Sequence, residues 1–319
     1  MNMGKRVPSI GKKSLEKRNH TRKYIRKLCL SGVITANYEK SLDSSAKYYN
    51  NLYSRKINTL QPDMLEHFLG QSSILKLPEE ERLSCEGRIT IEECVKALGT
   101  FENGKTPGND DIPNEFYKTF RSCVGELTTD VFNYSFDSGE MSDSQKQAII
   151  TLIAKKDKDR TYLENWRPIS LVNADSKLAS KVISNRIKKV LSRIIHYNQS
   201  GFIKGRLIGE VARSILVVLN HLKLSGILLL IDFEKAFDSI EWDFLYQSLE
   251  AFNFGPTLIR WIKTFYIYVS ICVINNGLFS EQFKLERGVR QGDPLSPFLF
   301  VVAIEILAYH LGQMNILKA

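Results

Sequence analysis

Cysteine is sparse and scattered in this sequence: Cys29, Cys85, Cys94, Cys123 and Cys272 are odd in number and never stand in a C-x-x-C pair. That pattern supports neither a disulfide framework nor a zinc site, and it fits a reducing, intracellular compartment, cytoplasm or nucleus. The five histidines are equally dispersed, so a His-based metal site has little support. No apolar run approaches the roughly 18–20 residues of a membrane span, and no membrane partner is expected. Residues 1–13 carry charges with no apolar stretch behind them, which argues against a secretory signal. Internal repeats and low-complexity tracts are absent too. What remains is an ordinary globular composition, 43% hydrophobic and 25% charged over 319 residues. That is enough for a sizeable core and about two domains or subdomains.

The charge is unevenly spread. Residues 1–60 hold 14 Lys/Arg against 3 Asp/Glu, whereas the remainder holds 30 against 32. The densest part runs from Lys12 to Lys27 and includes Lys12, Lys13, Arg22, Lys23, Arg26 and Lys27. Such a segment suits the neutralisation of phosphates and release of their counterions, although a solvated basic tail has the same composition. Residues 1–60 read as a basic arm with helical patches and little core.

From about residue 60 the pattern becomes globular. Thr90 and Glu93 form a capping-box signature that opens a helix through Ala97. Residues 103–113 are dense in Gly, Pro, Asn and Asp and predict a loop, and a helical run follows from Asn114. Ala148–Ala154 is apolar and β-branched, a strand, with the charged tip Lys155–Arg160 directly after it. Asp175–Ile195 is amphipathic at helical period and basic on its outer side. Gly226–Ile231 is a continuous apolar run, the pattern of a strand buried on both faces. Trp242–Tyr266 reads as helices, Val269–Asn275 and Gln282–Leu285 as strands, and Pro294–Leu311 as an apolar helix. The mixture predicts an α+β fold with at least one central sheet.

Three features carry chemistry. Asp232 closes the Gly226–Ile231 run, where a carboxylate can hold a hard divalent cation or simply cap the next helix. Arg287–Pro297 contains two glycines that allow close backbone approach, the amide of Gln291, and Pro294 at a helix start. Asn165–Leu171 places Arg167 near Lys155 and Lys156, cations suited to a triphosphate clamp or to a solvated surface.

In this order the pieces resemble the reverse transcriptase domain of non-LTR (LINE-type) retrotransposons. The resemblance runs through Gly104–Gly108, Asp110–Tyr117, Asn165–Leu171, Gln199–Arg206, Asp232–Asp238 and Gly288–Pro297, covering about residues 85–319. Ala46–Tyr53 resembles the linker before the polymerase. The resemblance implies a right-hand polymerase: a basic arm or linker over 1–60, fingers over 61–225, and a partial palm over 226–319. It implies an RNA template, a DNA primer and dNTP as partners, and two Mg²⁺ ions as cofactor. Asp232 matches the first palm aspartate and Phe233 the residue whose backbone helps ligate the nucleotide-side ion. Phe237 matches the aromatic gate beneath the sugar, and Gln291 the glutamine near nucleotide and template. Arg167 and one of Lys155 or Lys156 match finger residues on the triphosphate. Arg206 joins the basic arm as a nucleic-acid contact.

Two departures stand out. Asp111 occupies a place where the family usually has glycine, and Asp tolerates φ > 0 better than most residues. The second acidic pair of the palm, expected downstream of the Pro294 helix, is absent from the 319 residues, as is a thumb. The adjacent Asp110 and Asp111 lie far upstream and cannot replace it. The expectation is therefore a truncated polymerase domain, inactive as this chain. A non-catalytic nucleic-acid-binding remnant and an intron-maturase-like polymerase are the alternatives, and the Gly104–Tyr117 and Asn165–Leu171 blocks favour the LINE-type reading over the maturase.

Overall fold

The computed structural model describes residues 24–56, 69, 74–221 and 231–313. Its central sheet follows the order β4-β3-β5-β6, with β7 also on β5. Strand β3 (Gln147–Ala154) and β4 (Trp166–Val172) form an antiparallel hairpin, registered from Ala148 opposite Val172 to Ala154 opposite Trp166. Strand β5 (Ser270–Asn275) joins β3 in parallel, and its other edge is shared by β6 (Leu278–Phe279) and β7 (Phe283–Lys284). The alternation in β4 is regular: Trp166, Pro168, Ser170 and Val172 are buried, and Arg167 faces out. An α+β class follows directly.

The helices around the sheet form for local reasons. Those preceding it are α1 (Tyr38–Tyr53), α2 (Glu79–Ser84), α3 (Ile91–Gly99), α4 (Asn114–Thr119) and α5 (Arg121–Ser138). In α3 the Thr90 hydroxyl accepts from Glu93 N–H while the Glu93 carboxylate accepts from Thr90 N–H, completing the capping box. Helix α6 (Ala174–Ile194) buries Leu178, Val182, Ile183, Ile187, Val190 and Leu191, and leaves Lys188, Lys189 and Arg193 outside. Helix α7 (Ile208–His221) follows, then α8 (Trp242–Ala251), α9 (Pro256–Tyr266) and α10 (Ser296–Gln313). The Glu86 carboxylate accepts from Thr257 and Leu258 N–H, satisfying the orphan donors at the start of α9.

Arg186 locks this half of the molecule. Its buried guanidinium donates to the carbonyls of Cys85, Glu86, Gly87 and Arg88 and pairs with Glu93 at 2.7 Å, fixing the α2–α3 connection onto α6. Among the described residues, no helix is long and apolar enough to cross a membrane.

The N-terminal segment differs from the expectation of an arm with little core. Ile25, Leu28, Leu42, Tyr49 and Tyr53 all belong to the main hydrophobic core. A small hairpin, β1 (Leu28–Leu30) with β2 (Val33–Thr35), turns through Ser31 and Gly32 at positive φ. Ile25 N–H donates to Asn275 Oδ1, and Cys29 N–H to Thr161 O. Charge dominates the composition of residues 1–60 and obscures the short apolar spacing that packs this part. Lys12, Lys13, Arg22 and Lys23 lie outside the described residues, as do Gly226–Leu230 of the expected buried strand. Ile231, the last residue of that run, is described: it is 57% exposed and in no strand.

Candidate active site

The tip of the β3–β4 hairpin presents the cations. Lys155 N–H donates to Asn165 O, Asn165 Nδ2 to Asp159 O, and the buried Trp166 indole to Arg160 O, so Asn165 and Trp166 hold the tip closed. Arg167 stands one pair further along the ladder, opposite Ile153, and is exposed. Lys155, Lys156 and Arg167 form no ion pair among the described residues. Cys29 N–H donates to Thr161 O near this tip, and the exposed Arg26 and Lys27 precede Cys29 by three and two residues.

The Gly104–Tyr117 block anchors rather than reacts. Asn173 Oδ1 accepts from Asn109 N–H at 2.8 Å and its amide donates to Ser144 O and Oγ. A Cβ on Gly108 would lie 2.2 Å from Asn173 Oδ1, so the chain passes there only without a side chain. Asp111 takes φ +57°, the conformation expected where the family has glycine.

The Arg287–Pro294 block spends most of its side chains inward. Arg287 donates to Leu52 O and pairs with Glu241, and Arg290 pairs with Asp293 at 2.9 Å inside the core. Ser180 Oγ also donates to Asp293. Gly288, at φ +81°, rests on the Asp238 backbone, where a Cβ would meet the carbonyl oxygen at 2.8 Å. Two backbone bonds stitch the same contact: Gly288 N–H to Ile240 O and Val289 N–H to Phe237 O, each 2.7 Å. Gln291 carbonyl accepts from Ser170 N–H at 2.7 Å, which sets this block along the outer edge of β4. The Gln291 amide donates to Asp238 Oδ2 at 3.2 Å.

Asp238 is 1% exposed and accepts a second bond from Tyr53 Oη at 2.8 Å. Burial pushes its carboxyl up to about 6, against the opposing pull of the Tyr53 hydrogen bond, Lys235, Gln291 and Arg287. Phe237 is half-buried, stacked on Phe300 at 4.9 Å with Phe202 edge-on at 6.5 Å. Asp232 and Phe233 are exposed at the start of this segment. No three His, Cys, Asp or Glu side chains gather into a metal site among the described residues. Asp238 is turned inward, and Asp232 belongs to no three-ligand group among the described residues, fewer donors than a hard divalent ion takes.

Arg206 has a structural task. Its guanidinium donates to the carbonyls of His196, Gln199, Ser192 and Ile195, capping the C-terminal end of α6. Both terminal nitrogens are thereby engaged by the chain's own backbone. Tyr53, Asp238 and Phe300 are the residues that sequence reasoning passed over. Asp238 and Tyr53 had a signal, as the last residues of the Asp232 block and of the Ala46 block, and Phe300 had none.

The structure thus gathers three separate blocks, around Arg167–Ser170, Asp232–Asp238 and Gly288–Gln291, at one sheet edge. The model of the family described as reverse transcriptase (RNA-dependent DNA polymerase) matches residues 153–317, just over half of the chain, and this chain belongs to that family. The relatives it matches are named as proteins of transposons and mobile elements. The transposon TX1 uncharacterized 149 kDa protein of Xenopus laevis is 34% identical over 298 residues, 92% of this chain and 22% of that protein. The probable RNA-directed DNA polymerase from transposon BS of Drosophila melanogaster is 25% identical, with 89% of this chain and 32% of that protein covered. The RNA-directed DNA polymerase from mobile element jockey of the same fly is 26% identical, with 85% and 30% covered. The chain therefore spans about a fifth to a third of the length of these relatives.

Proposed function

We propose that the chain supplies the fingers and part of the palm of an RNA-directed DNA polymerase from a non-LTR retrotransposon. In this reading it binds an RNA template, a DNA primer and an incoming dNTP. Lys155 or Lys156 and Arg167 hold the triphosphate, whose charge a fork of N–H donors and a point charge neutralise. Phe237 lies beneath the sugar, where its ring would exclude a 2′-hydroxyl. Gln291 orients nucleotide and template. Arg26 and Lys27, with Lys12, Lys13, Arg22 and Lys23, contact nucleic-acid phosphates. The observation that carries the reading is the convergence of the Arg167, Phe237 and Gln291 blocks on the β4 edge through Gln291 O and Val289 N.

Asp232 would hold Mg²⁺, which would stabilise the attacking and leaving oxygens of phosphoryl transfer. Two-metal chemistry needs carboxylates beyond Asp232, and no three-ligand group includes it among the described residues. These 319 residues alone are expected to bind but not extend. Primer extension with Mg²⁺ or Mn²⁺ should stay at background; incorporation abolished by Asp232→Ala would overturn that.

Binding is the positive test. On a dideoxy-terminated primer annealed to RNA, calorimetry with dNTP and Mg²⁺ should show affinity that falls about tenfold or more in Arg167→Ala, the loss of a charge-assisted pair. Phe237→Ala should raise rNTP affinity relative to dNTP. An unchanged ratio in a folded variant would leave Phe237 as packing against Phe300.

A further inference from the structure

The C-terminal end of α1 lies outside the region matched to the reverse transcriptase family, yet it reaches the centre of the site. Glu286 N–H donates to Tyr53 O, Arg287 Nε to Leu52 O, and Arg55 N–H to Glu286 Oε2. Lys235, at φ +51°, donates to Tyr48 Oη and sits 4.5 Å over the Tyr48 ring. Tyr53 stacks on the fully buried Tyr49 and aims its hydroxyl at Asp238. The two Asp238 oxygens are divided between two donors from distant segments: Oδ1 takes Tyr53, and Oδ2 takes the Gln291 amide.

We infer that Tyr53 is a positioning residue for the nucleotide site: it fixes the Asp238 carboxylate, and that carboxylate in turn fixes the side-chain amide of Gln291. The inference rests on the proposed nucleotide role of Gln291. A glutamine amide on a surface loop samples several rotamers, and a nucleotide that needs one of them loses affinity in proportion to the others. A carboxylate accepting the Nε2–H selects the rotamer and assigns the amide's orientation, leaving the carbonyl Oε1 out of that contact. Asp238 can serve only if it is itself immobile, and a buried carboxylate with a single partner would turn about its terminal torsion. The Tyr53 hydroxyl supplies the second point of fixation. Burial of Asp238 beneath Gly288 strengthens both bonds by excluding water. Helix α1 is thereby a working part of the site and not a tether preceding it.

The test uses the 319-residue chain, the dideoxy-terminated RNA–DNA hybrid, and calorimetric titration with dNTP and Mg²⁺. Tyr53→Phe removes one oxygen and keeps the ring stacked on Tyr49. It should weaken dNTP binding about tenfold, the lower end of the value of one hydrogen bond to a charged group. Gln291→Ala should weaken it at least as much, and the double variant should match Gln291→Ala within about twofold, because Tyr53 acts through Gln291. Hybrid affinity should be unchanged in Tyr53→Phe, which a general loss of structure would not allow. Tyr53→Phe affinity equal to wild type, or losses that multiply in the double variant, would overturn the inference while leaving the polymerase reading standing. If Gln291→Ala and Arg167→Ala both bind dNTP like wild type, or wild type binds none, the polymerase site reading fails and takes the inference with it. Asp238→Asn, which keeps the shape and one acceptor oxygen, serves as a second variant with the same expected loss. If neither Tyr53→Phe nor Asp238→Asn folds, the cluster is structural only and the inference is wrong.

Discussion

Asp238 and Glu305 are buried carboxyls that resist ionisation. Burial raises Glu305 to about 7, opposed by the His196 backbone hydrogen bond and Arg206, and its Oε2 has no hydrogen-bond partner among the described residues. Burial raises Asp238 to about 6. A folded-state pKa above the unfolded one means the folded chain holds the proton more tightly. The resulting stability is complete below the unfolded value, near pH 4, and is lost as pH rises through about 6 for Asp238 and about 7 for Glu305. The size is on the order of 3 kcal/mol for each group at most. Glu305→Gln replaces the ionisable group with a neutral isostere, so its stability relative to wild type should improve as pH rises from 5 to 7.5. Urea unfolding at pH 5, 6 and 7.5 measures it; a difference that stays constant across the three would contradict the shift.

At the scale of elements, Arg186 joins α6 to the α2–α3 connection through four carbonyls and Glu93. Arg186→Met fills much of the same space but leaves those acceptors and the Glu93 charge unpaired. The expected cost is about 3–5 kcal/mol, the usual consequence of breaking one side of a buried pair. Arg186→Lys should recover little, since a point charge cannot reproduce the planar fork. Thermal or urea unfolding decides it, and a loss below about 1 kcal/mol would show that the carbonyls find water instead. The C-terminal end of the same helix is closed by Arg206, so Arg186 within α6 and Arg206 beyond it turn to backbone carbonyls while Lys188, Lys189 and Arg193 stay out. Charge alone does not sort these into structural and solvent-facing groups; the carbonyls within reach do.

At the scale of the molecule, the basic N-terminal segment divides near residue 24. Residues 1–23 contain eight Lys/Arg and one acid, whereas Ile25, Leu28, Tyr49 and Tyr53 are part of the core. Deleting residues 1–23 should leave a folded chain whose RNA affinity depends less steeply on salt. The slope of log K against log salt should fall by at most roughly 6–7, if every cation met a phosphate. Deleting residues 1–60 should instead abolish folding by exposing the apolar surface against which α1 packs. Salt titrations of RNA binding, with circular dichroism of both deletions, test this. An unchanged slope without residues 1–23 would make that stretch a solvated tail.

The sequence by itself determined what neighbouring residues decide. The Thr90 capping box, the loop of residues 103–113, the Gln147–Ala154 strand and the apolar stripe of α6 are written in propensity and period, and each appears at its expected place within a few residues. The family was legible too, because its blocks are short runs of defined order. Only the tertiary structure decided which of those residues meet. Tyr53 and Asp238 are 185 residues apart, and Asp238 and Gln291 are 53 apart. Their hydrogen bonds depend on α1, the Asp232 segment and the Gly288 loop closing on one core, a condition that no local pattern encodes. For the same reason the inward turn of Arg206 and the core role of α1 escaped a reading by charge. A guanidinium or a tyrosine looks alike in sequence whether it faces a phosphate, a helix end or a buried carboxylate; the fold supplies the partner, and the partner decides the role.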